Sequence, residues 1–408
     1  RTKARPAVFK AMLKQAGVLR VENVHQLFDI AQLLATQPLP RGDRVAIVGN
    51  STALGTLTAD ACTSWGLKVA HGPVSLPSEA TAAQFRTALA AAFADPKVDS
   101  VLTCFIPPLV TNDEDVAAAV RDMAHGAEKP CAATFLGMRG VDDGHSSVTG
   151  TGGSTQAIPV YAMPEDAVRA LAAATRYGAW RSKDHGVPVA PAGINRRIAE
   201  DIVETVLAME PKGRRLTSDE STALLQAYGI DVWTKQEVST VDEAVAAAEQ
   251  VGYPVVLKST APMVRHQGGT SGVRVDLRTE AALRAAWESL TERLAPLDAD
   301  RLVVQRMATP GVPCVVTSDE DPLFGPVIGF SVAGLPTELL GDIGYRIPPL
   351  TDVDVSELIS SVKASPVLHG HRGATPVNRA ALADLIARVS VLADDLAAWL
   401  AALPHVDL

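Results

Sequence analysis

Between Arg44 and Trp180, short apolar runs alternate with longer stretches in which apolar positions recur every three to four residues. The runs are Arg44–Asn50, Leu67–Ala70, Ser100–Pro107, Cys131–Gly137 and Ile158–Ala162. The intervening stretches predict helices from Gly55 to Trp65, Thr81 to Ala94 and Glu114 to His125, with a last one from Glu165 to Trp180. Continuous apolar strands separated by amphipathic helices predict a parallel, doubly wound α/β sheet, because a strand buried on both faces has no polar side to show. Ahead of it, two helices are expected, Val8–Gln15 and Val24–Ala35, before Pro38-Leu39-Pro40-Arg41-Gly42 breaks the pattern.

Beyond Lys183 the rhythm changes. A polar stretch with Pro188 and Pro191, carrying one short helix from Ile194 to Leu207, reads as a connection as far as Gly213. A second α/β region follows, with helices Thr217–Tyr228, Val241–Val251, Thr279–Leu290 and Arg379–Leu403. Its extended segments are expected at Gly229–Val232, Val255–Leu257, Val273–Leu277, Arg301–Met307, Pro313–Asp319 and Gly325–Val332. In Val273–Leu277 the apolar residues alternate with Arg274 and Asp276, as a strand with one covered face requires.

A chain of 408 residues with 47% hydrophobic residues and mean hydropathy +0.13 is long and apolar enough for two to three domain cores. A net charge of -9 and a pI near 5.5, without a block of Lys and Arg interleaved with aromatics, argue against a nucleic-acid partner. No apolar run reaches the roughly 18 residues of a membrane-spanning helix, so no membrane partner is expected. Cys62, Cys104, Cys131 and Cys314 are widely spaced and set in apolar patterns, which predicts buried thiols in a reducing cytoplasm.

The chemistry concentrates in Tyr253–Leu277, read as strand, glycine loop, strand. Gly268, Gly269, Ser271 and Gly272 could bring backbone N–H groups onto phosphate oxygens, while Lys258 at the end of the first strand supplies a cation. A plain turn with a solvated lysine is the structural alternative. The strand containing Gln305 and Met307 could place backbone groups against a purine, with Met307 covering the ring, or serve simply as core. In the first region, Gly49–Gly55, Pro107-Pro108 and Gly137–Gly140 would lie at the carboxyl edge of the sheet, where ligands bind in such folds. Glu338 and Arg346 are candidate polar contacts near a cleft or partners in an ion pair. His369 and His371 form an H-x-H without a third ligand.

Taken in order, QAGVLRVENVHQLFDIAQLL, PLPRGDRVAIVGNS, MPEDAVRAL, AYGIDV, YPVVLKSTAP, SGVRVDL, VVQRM, DPLFGPVIGF and GYRIPPL resemble the NDP-forming acyl-CoA synthetases. The resemblance covers essentially the whole chain. It implies a helical end of a preceding domain at 1–38, a succinyl-CoA-ligase-like flavodoxin domain at 39–183, a linker at 184–213 and an ATP-grasp domain at 214–408. It also implies ATP and Mg²⁺, with CoA and a carboxylic acid as further substrates, and phosphoryl transfer through histidine, with His266 at the position that precedes the glycine loop. Nucleotide contacts would fall to Lys258, Gly268, Gly269, Ser271, Gly272, Gln305, Met307 and Glu338.

Three departures mark this chain. The family pattern HKSDxGG reads HQGGTSG, GxEVxVG reads Gly311-Val312-Pro313-Cys314-Val315-Val316, and ELDLNP is matched only by Pro404–Leu408. The family's CoA-binding domain and its SHTG phosphohistidine loop would precede Arg1, and the metal ligands would follow Leu408. The expectation is therefore an incomplete ATP-grasp domain that does not turn over alone and needs an N-terminal CoA-binding partner domain. A homo-oligomer is compatible with this reading. In some members the same body is fused to a GNAT-type protein acetyltransferase, and the resemblance also admits a non-catalytic regulatory body.

Overall fold

The computed structural model describes residues 5–107, 113–136, 158–233, 235–261, 272–295, 301–334, 339–371 and 375–402. The chain forms two compact units, Phe9–His185 and Gly186–Leu408, the second including Arg1–Val8. None of the helices among the described residues is long and apolar enough to cross a membrane.

In the first unit, β1 (Arg44–Gly49), β2 (Lys68–Ser75), β3 (Ser100–Phe105), β4 (Cys131–Phe135) and β5 (Val160–Tyr161) form a parallel sheet in the order β2-β1-β3-β4-β5. This is the flavodoxin-like order, with its switch point between β1 and β3. Successive residues of one strand serve opposite cores. Val45 and Ile47 meet α2 (Val24–Thr36), α3 (Thr52–Ser64) and α6 (Pro164–Ser182) on one face. Ala46 and Val48 meet α4 (Ala82–Ala94) and α5 (Asp113–Ala124) on the other. Phe105 is fully buried, edge-on to Phe85 at 5.5 Å and to Phe135 at 5.8 Å. Each side chain buried to this extent contributes roughly 1.5–3 kcal/mol. Ile30 and Leu33 of α2 belong to the first of these cores, so this stretch of the segment read as the end of a preceding domain packs inside this unit.

Cys62, Cys104 and Cys131 are buried and unbridged, and Cys314 is half-buried. Burial pushes the Cys62 and Cys131 thiols up to about 12 and Cys104 up to about 11. These thiols are packing groups.

The second unit contains two antiparallel sheets. The first has the order β6-β9-β7-β8, from β6 (Lys235–Val238), β7 (Val255–Ser259), β8 (Val273–Leu277) and β9 (Leu302–Arg306). Its helices, α9 (Val241–Val251) and α10 (Glu280–Leu294), share one core with Val238, Val255, Leu257, Leu302 and Val304. Thr240 and Thr279 cap these helices by accepting from the Glu243 and Ala282 amides. Gly252, at φ 85°, ends α9 in a conformation closed to most L-residues. The second sheet, β10 (Cys314–Asp321), β11 (Gly325–Val332) and β12 (Gly344–Arg346), packs against α11 (Asp352–Ser361) and α12 (Arg379–Ala402).

The segment read as a linker is built into this unit. The Val189 N–H donates to the Leu350 carbonyl at 2.9 Å, and α7 (Arg196–Met209) shares a core with α8 (Ser218–Ala227) and Leu392. Tyr228 is fully buried, with its hydroxyl donating to Asp395 at 2.8 Å. Of the segment expected at Gly229–Val232, Gly229 lies in the exit turn of α8 and the rest is irregular, and the strand forms beyond it, at Lys235–Val238. β2 runs on through Gly72 and Pro73 to Ser75, past the expected Ala70.

Candidate functional site

The register of the four-stranded sheet determines which side chains share its second face. Lys258 stands opposite Val303 on β9 and Val273 on β8, while Gln305 stands opposite Val256 and Lys235. Since cross-strand partners point the same way, Lys235, Glu237, Val256, Lys258, Val303 and Gln305 occupy the face turned away from α9 and α10. There the Lys258 ammonium donates to Gln305 Oε1 at 2.7 Å, and Gln305 Nε2 donates to the Trp233 carbonyl at 2.9 Å. Lys258 and Gln305 are both half-buried, whereas Lys235 and Glu237 are exposed.

A bulge in β8 sets this alignment. Leu277 pairs with Val255, but Arg274 pairs with Leu257, so β8 uses an extra residue over that interval. Asp276 takes it up at φ 58°, in the left-handed region, with its carboxylate accepting from Arg278 Nε at 2.9 Å. The shift returns Val273 to a position opposite Lys258 and carries Gly272, which is buried, to the start of the strand.

β9 lies inside the sheet, between β6 and β7, and not at its edge. The Met307 N–H accordingly donates to the Pro254 carbonyl at 2.9 Å. The half-buried Met307 side chain remains in place at the end of β9. His266, Gly268, Gly269, Ser271 and Glu338 lie outside the described residues. Trp233, whose carbonyl anchors Gln305 and whose own exposure is 52%, carried no sequence signal because the contact is made by backbone.

A second candidate place is the switch point of the parallel sheet. Asn50, 5% exposed, follows β1 and spans the crevice to the β3 loop. Its Oδ1 accepts from the Ile106 N–H at 2.8 Å, and its Nδ2 donates to the carbonyls of Ile106 at 2.8 Å and Ser78 at 3.0 Å. Ser51 caps α3, and the Thr52 and Ser75 hydroxyls meet at 2.8 Å. A Cβ on Gly49 would run into the Cys104 carbonyl, so only glycine lets β1 and β3 approach here. Thus Gly49–Gly55 and Pro107 gather at one edge, while Pro108 and Gly137–Gly140 lie outside the described residues.

The remaining candidates are structural. Arg346, 6% exposed, ion-pairs with Glu357 at 3.1 Å and Asp354 at 3.6 Å, holding β12 to α11. His25, Asp29 and Asp166 could together approach a metal, but Arg169 already bridges the two carboxylates at 3.0 and 2.6 Å. The outer face of β10–β12 carries a cavity of about 260 Å³, lined by Val315, Thr317, Asp319, Ser331 and Tyr345 among others.

Comparison with known proteins places these elements. Residues 207–403 match the sequence model described as an ATP-grasp domain. The β subunit of ADP-forming acetate–CoA ligase II from Pyrococcus furiosus is 34% identical over 200 residues, covering 48% of this chain and 84% of that subunit. The chain belongs to the family of ADP-forming acetate–CoA ligases. Within that family, ligase I of Archaeoglobus fulgidus is 32% identical over 410 residues, 95% of this chain and 58% of the relative. An ADP-forming 4-hydroxybutyrate–CoA ligase from Nitrosopumilus maritimus is 28% identical, again over 95% of this chain and 58% of its own length. The chain therefore spans somewhat over half the length of these two relatives. The acetyl-coenzyme A synthetase 1 of Ca. Korarchaeum cryptofilum, solved with coenzyme A and Ca-AMPCP, is 31% identical over 48% of this chain and 87% of that one, with a TM-score of 0.43.

Proposed function

We propose that this protein serves an ADP-forming acid–thiol ligase, exchanging the phosphoanhydride energy of ATP with the thioester of an acyl-CoA. The observation that carries the reading is the Lys258 ammonium, held at 2.7 Å from Gln305 on the sheet face turned away from α9 and α10, within the stretch that matches an ATP-grasp domain. An ammonium fixed on that face is suited to the phosphates of a nucleotide, with Gly268, Gly269, Ser271 and Gly272 supplying backbone N–H groups from the following loop. Mg²⁺ would offset charge on the transferred phosphoryl group, and His266 would accept it. CoA and the carboxylic acid would be handled with a CoA-binding domain. In Pyrococcus furiosus ADP-forming acetate–CoA ligase I is divided into α and β subunits, so a division of labour between chains has a precedent. The division of this chain into a flavodoxin-like domain at 39–183 and an ATP-grasp domain at 214–408 belongs to the same proposal. Buried, unbridged Cys62, Cys104 and Cys131 agree with work in the cytoplasm.

A second reading, nucleotide binding without turnover, is favoured by one observation. Where the family pattern has a glutamate ahead of its strand, Pro313 leads directly into Cys314 of β10.

Isothermal titration of ATP–Mg²⁺ into the protein and into Lys258→Ala tests the nucleotide site. Binding that weakens at least about tenfold in the variant supports it, the loss matching one charge-assisted contact. No heat with either protein, at concentrations that reveal millimolar affinity, would overturn it. Thioester formation from acetate, CoA and ATP, assayed with the CoA-binding domain supplied, separates the ligase from the second reading.

A further inference from the structure

Gln305 uses both ends of its amide, and that decides its role. Its oxygen accepts from Lys258 at 2.7 Å while its nitrogen donates to the Trp233 carbonyl at 2.9 Å. Turning the amide over would set NH₂ against ammonium and oxygen against oxygen, so one orientation is strongly preferred. The contact is also diagonal. Gln305 stands opposite Val256, two residues back from Lys258, so the lysine side chain leans along β7 toward its N-terminal end to reach it. Lys235 of β6 stands opposite Gln305 on its other side. One neutral side chain on the central strand β9 therefore links the ammonium on β7 to the backbone entering β6.

We propose that Gln305 is a positioning residue for Lys258 and not itself a ligand of the nucleotide. This rests on the nucleotide reading given above. A neutral acceptor steers the ammonium without cancelling its charge, whereas a carboxylate at 305 would form an ion pair and reduce the attraction for phosphate oxygens. Leucine at 305 would leave the charge intact but remove the acceptor that draws the ammonium toward β9.

The test is a double-mutant cycle on the full chain, with ATP–Mg²⁺ binding measured by titration calorimetry for Gln305→Leu, Gln305→Glu, Lys258→Ala and the Lys258→Ala/Gln305→Leu pair. Gln305→Leu is expected to raise Kd about tenfold, as for one hydrogen bond to a charged group. Gln305→Glu should raise it further, with the difference between the two shrinking as salt is added. In the Lys258→Ala background, Gln305→Leu should change nothing more, because its effect passes through the lysine. A further loss in that background would make Gln305 a direct contact and overturn the proposal, as would unchanged binding in Gln305→Leu. If Lys258→Ala leaves no measurable heat, the order of the two single variants decides, since a direct acceptor of a purine amino group tolerates glutamate better than leucine. Unchanged binding in Lys258→Ala would instead remove Lys258 from the nucleotide site, and positioning with it, whereas no heat with the unaltered protein would remove the nucleotide reading itself. Urea midpoints of all variants, together with the Lys258 Nζ ¹⁵N shift in nucleotide-free Gln305→Leu, separate a moved ammonium from a disturbed fold. An unmoved shift also overturns positioning.

Discussion

The parallel sheet of the first unit and the β6–β9 sheet of the second bury their strands differently, and the difference governs where chemistry can sit. β3 is buried at every position from Ser100 to Phe105, because helices cover both of its faces. β7 alternates buried and half-buried from Val255 to Ser259, because α9 and α10 seal the face of Val255 and Leu257, while the other face, though it buries Val303, leaves Val256 and Lys258 half-buried. In the doubly covered sheet a functional side chain has nowhere to stand except beyond the strand ends, and Asn50 is found there. In the second sheet the face turned away from α9 and α10 can itself hold polar groups, and Lys258 and Gln305 meet in its middle.

The comparison can be broken by substitution. Phe105→Ala should cost about 3–5 kcal/mol by urea unfolding, since it removes a ring at the junction of two aromatic edges. A loss below about 1 kcal/mol would mean the sheet is not sealed as described. Neighbouring residues sharpen the contrast. Ile47→Ala and Val48→Ala in β1 should each cost about 2–4 kcal/mol, whereas in β7 Leu257→Ala should reach that range and Val256→Ala should cost less than half as much. Equal losses at Val256 and Leu257 would refute this difference between the two faces. Asn50→Leu should cost about 1–3 kcal/mol, because it strips the partner from the Ile106 amide and from two carbonyls at the switch point.

The smallest effect expected is one of pH. Arg214, with the Thr217 amide, holds the Glu220 carboxyl down from its ordinary 4.5 to about 2. A carboxyl depressed on folding stabilises the native state above its unfolded value and loses that contribution as pH falls toward the folded one. The gap in melting temperature between the protein and Glu220→Gln should therefore be full at pH 7 and close between about pH 4.5 and 2. A gap that widens on acidification would show that Glu220 is not held as an anion.

The buried parallel strands were legible because burial on both faces writes a continuous apolar run. β6 was not, because Lys235-Gln236-Glu237-Val238 is a polar edge strand that places only Val238 in the core and is held mainly by its ladder with β9. Gly72-Pro73 reads as a breaker, yet β2 continues through it at the sheet margin, where a proline removes no interior ladder bond. α11 was passed over although Thr351 and Asp354 form a capping box that marks its start. At the site, Lys258 and Gln305 were each named from their own surroundings. Their contact was not foreseeable, because it depends on the pairing of strands 47 residues apart and on a bulge at Asp276 that no local pattern announces. The Met307 N–H bond to Pro254 was hidden for a related reason, since the neighbours of β9 on both sides are fixed only by tertiary pairing.

The polar character that hid β6 from view has a further consequence. A sheet margin offers unpaired amides and carbonyls on which another chain can nucleate, and the lysine and glutamate exposed along β6 make such a recruit bury charge. A strand that gives the core a single residue is thus placed to keep neighbouring molecules from adding to its margin of the sheet and assembling into aggregates.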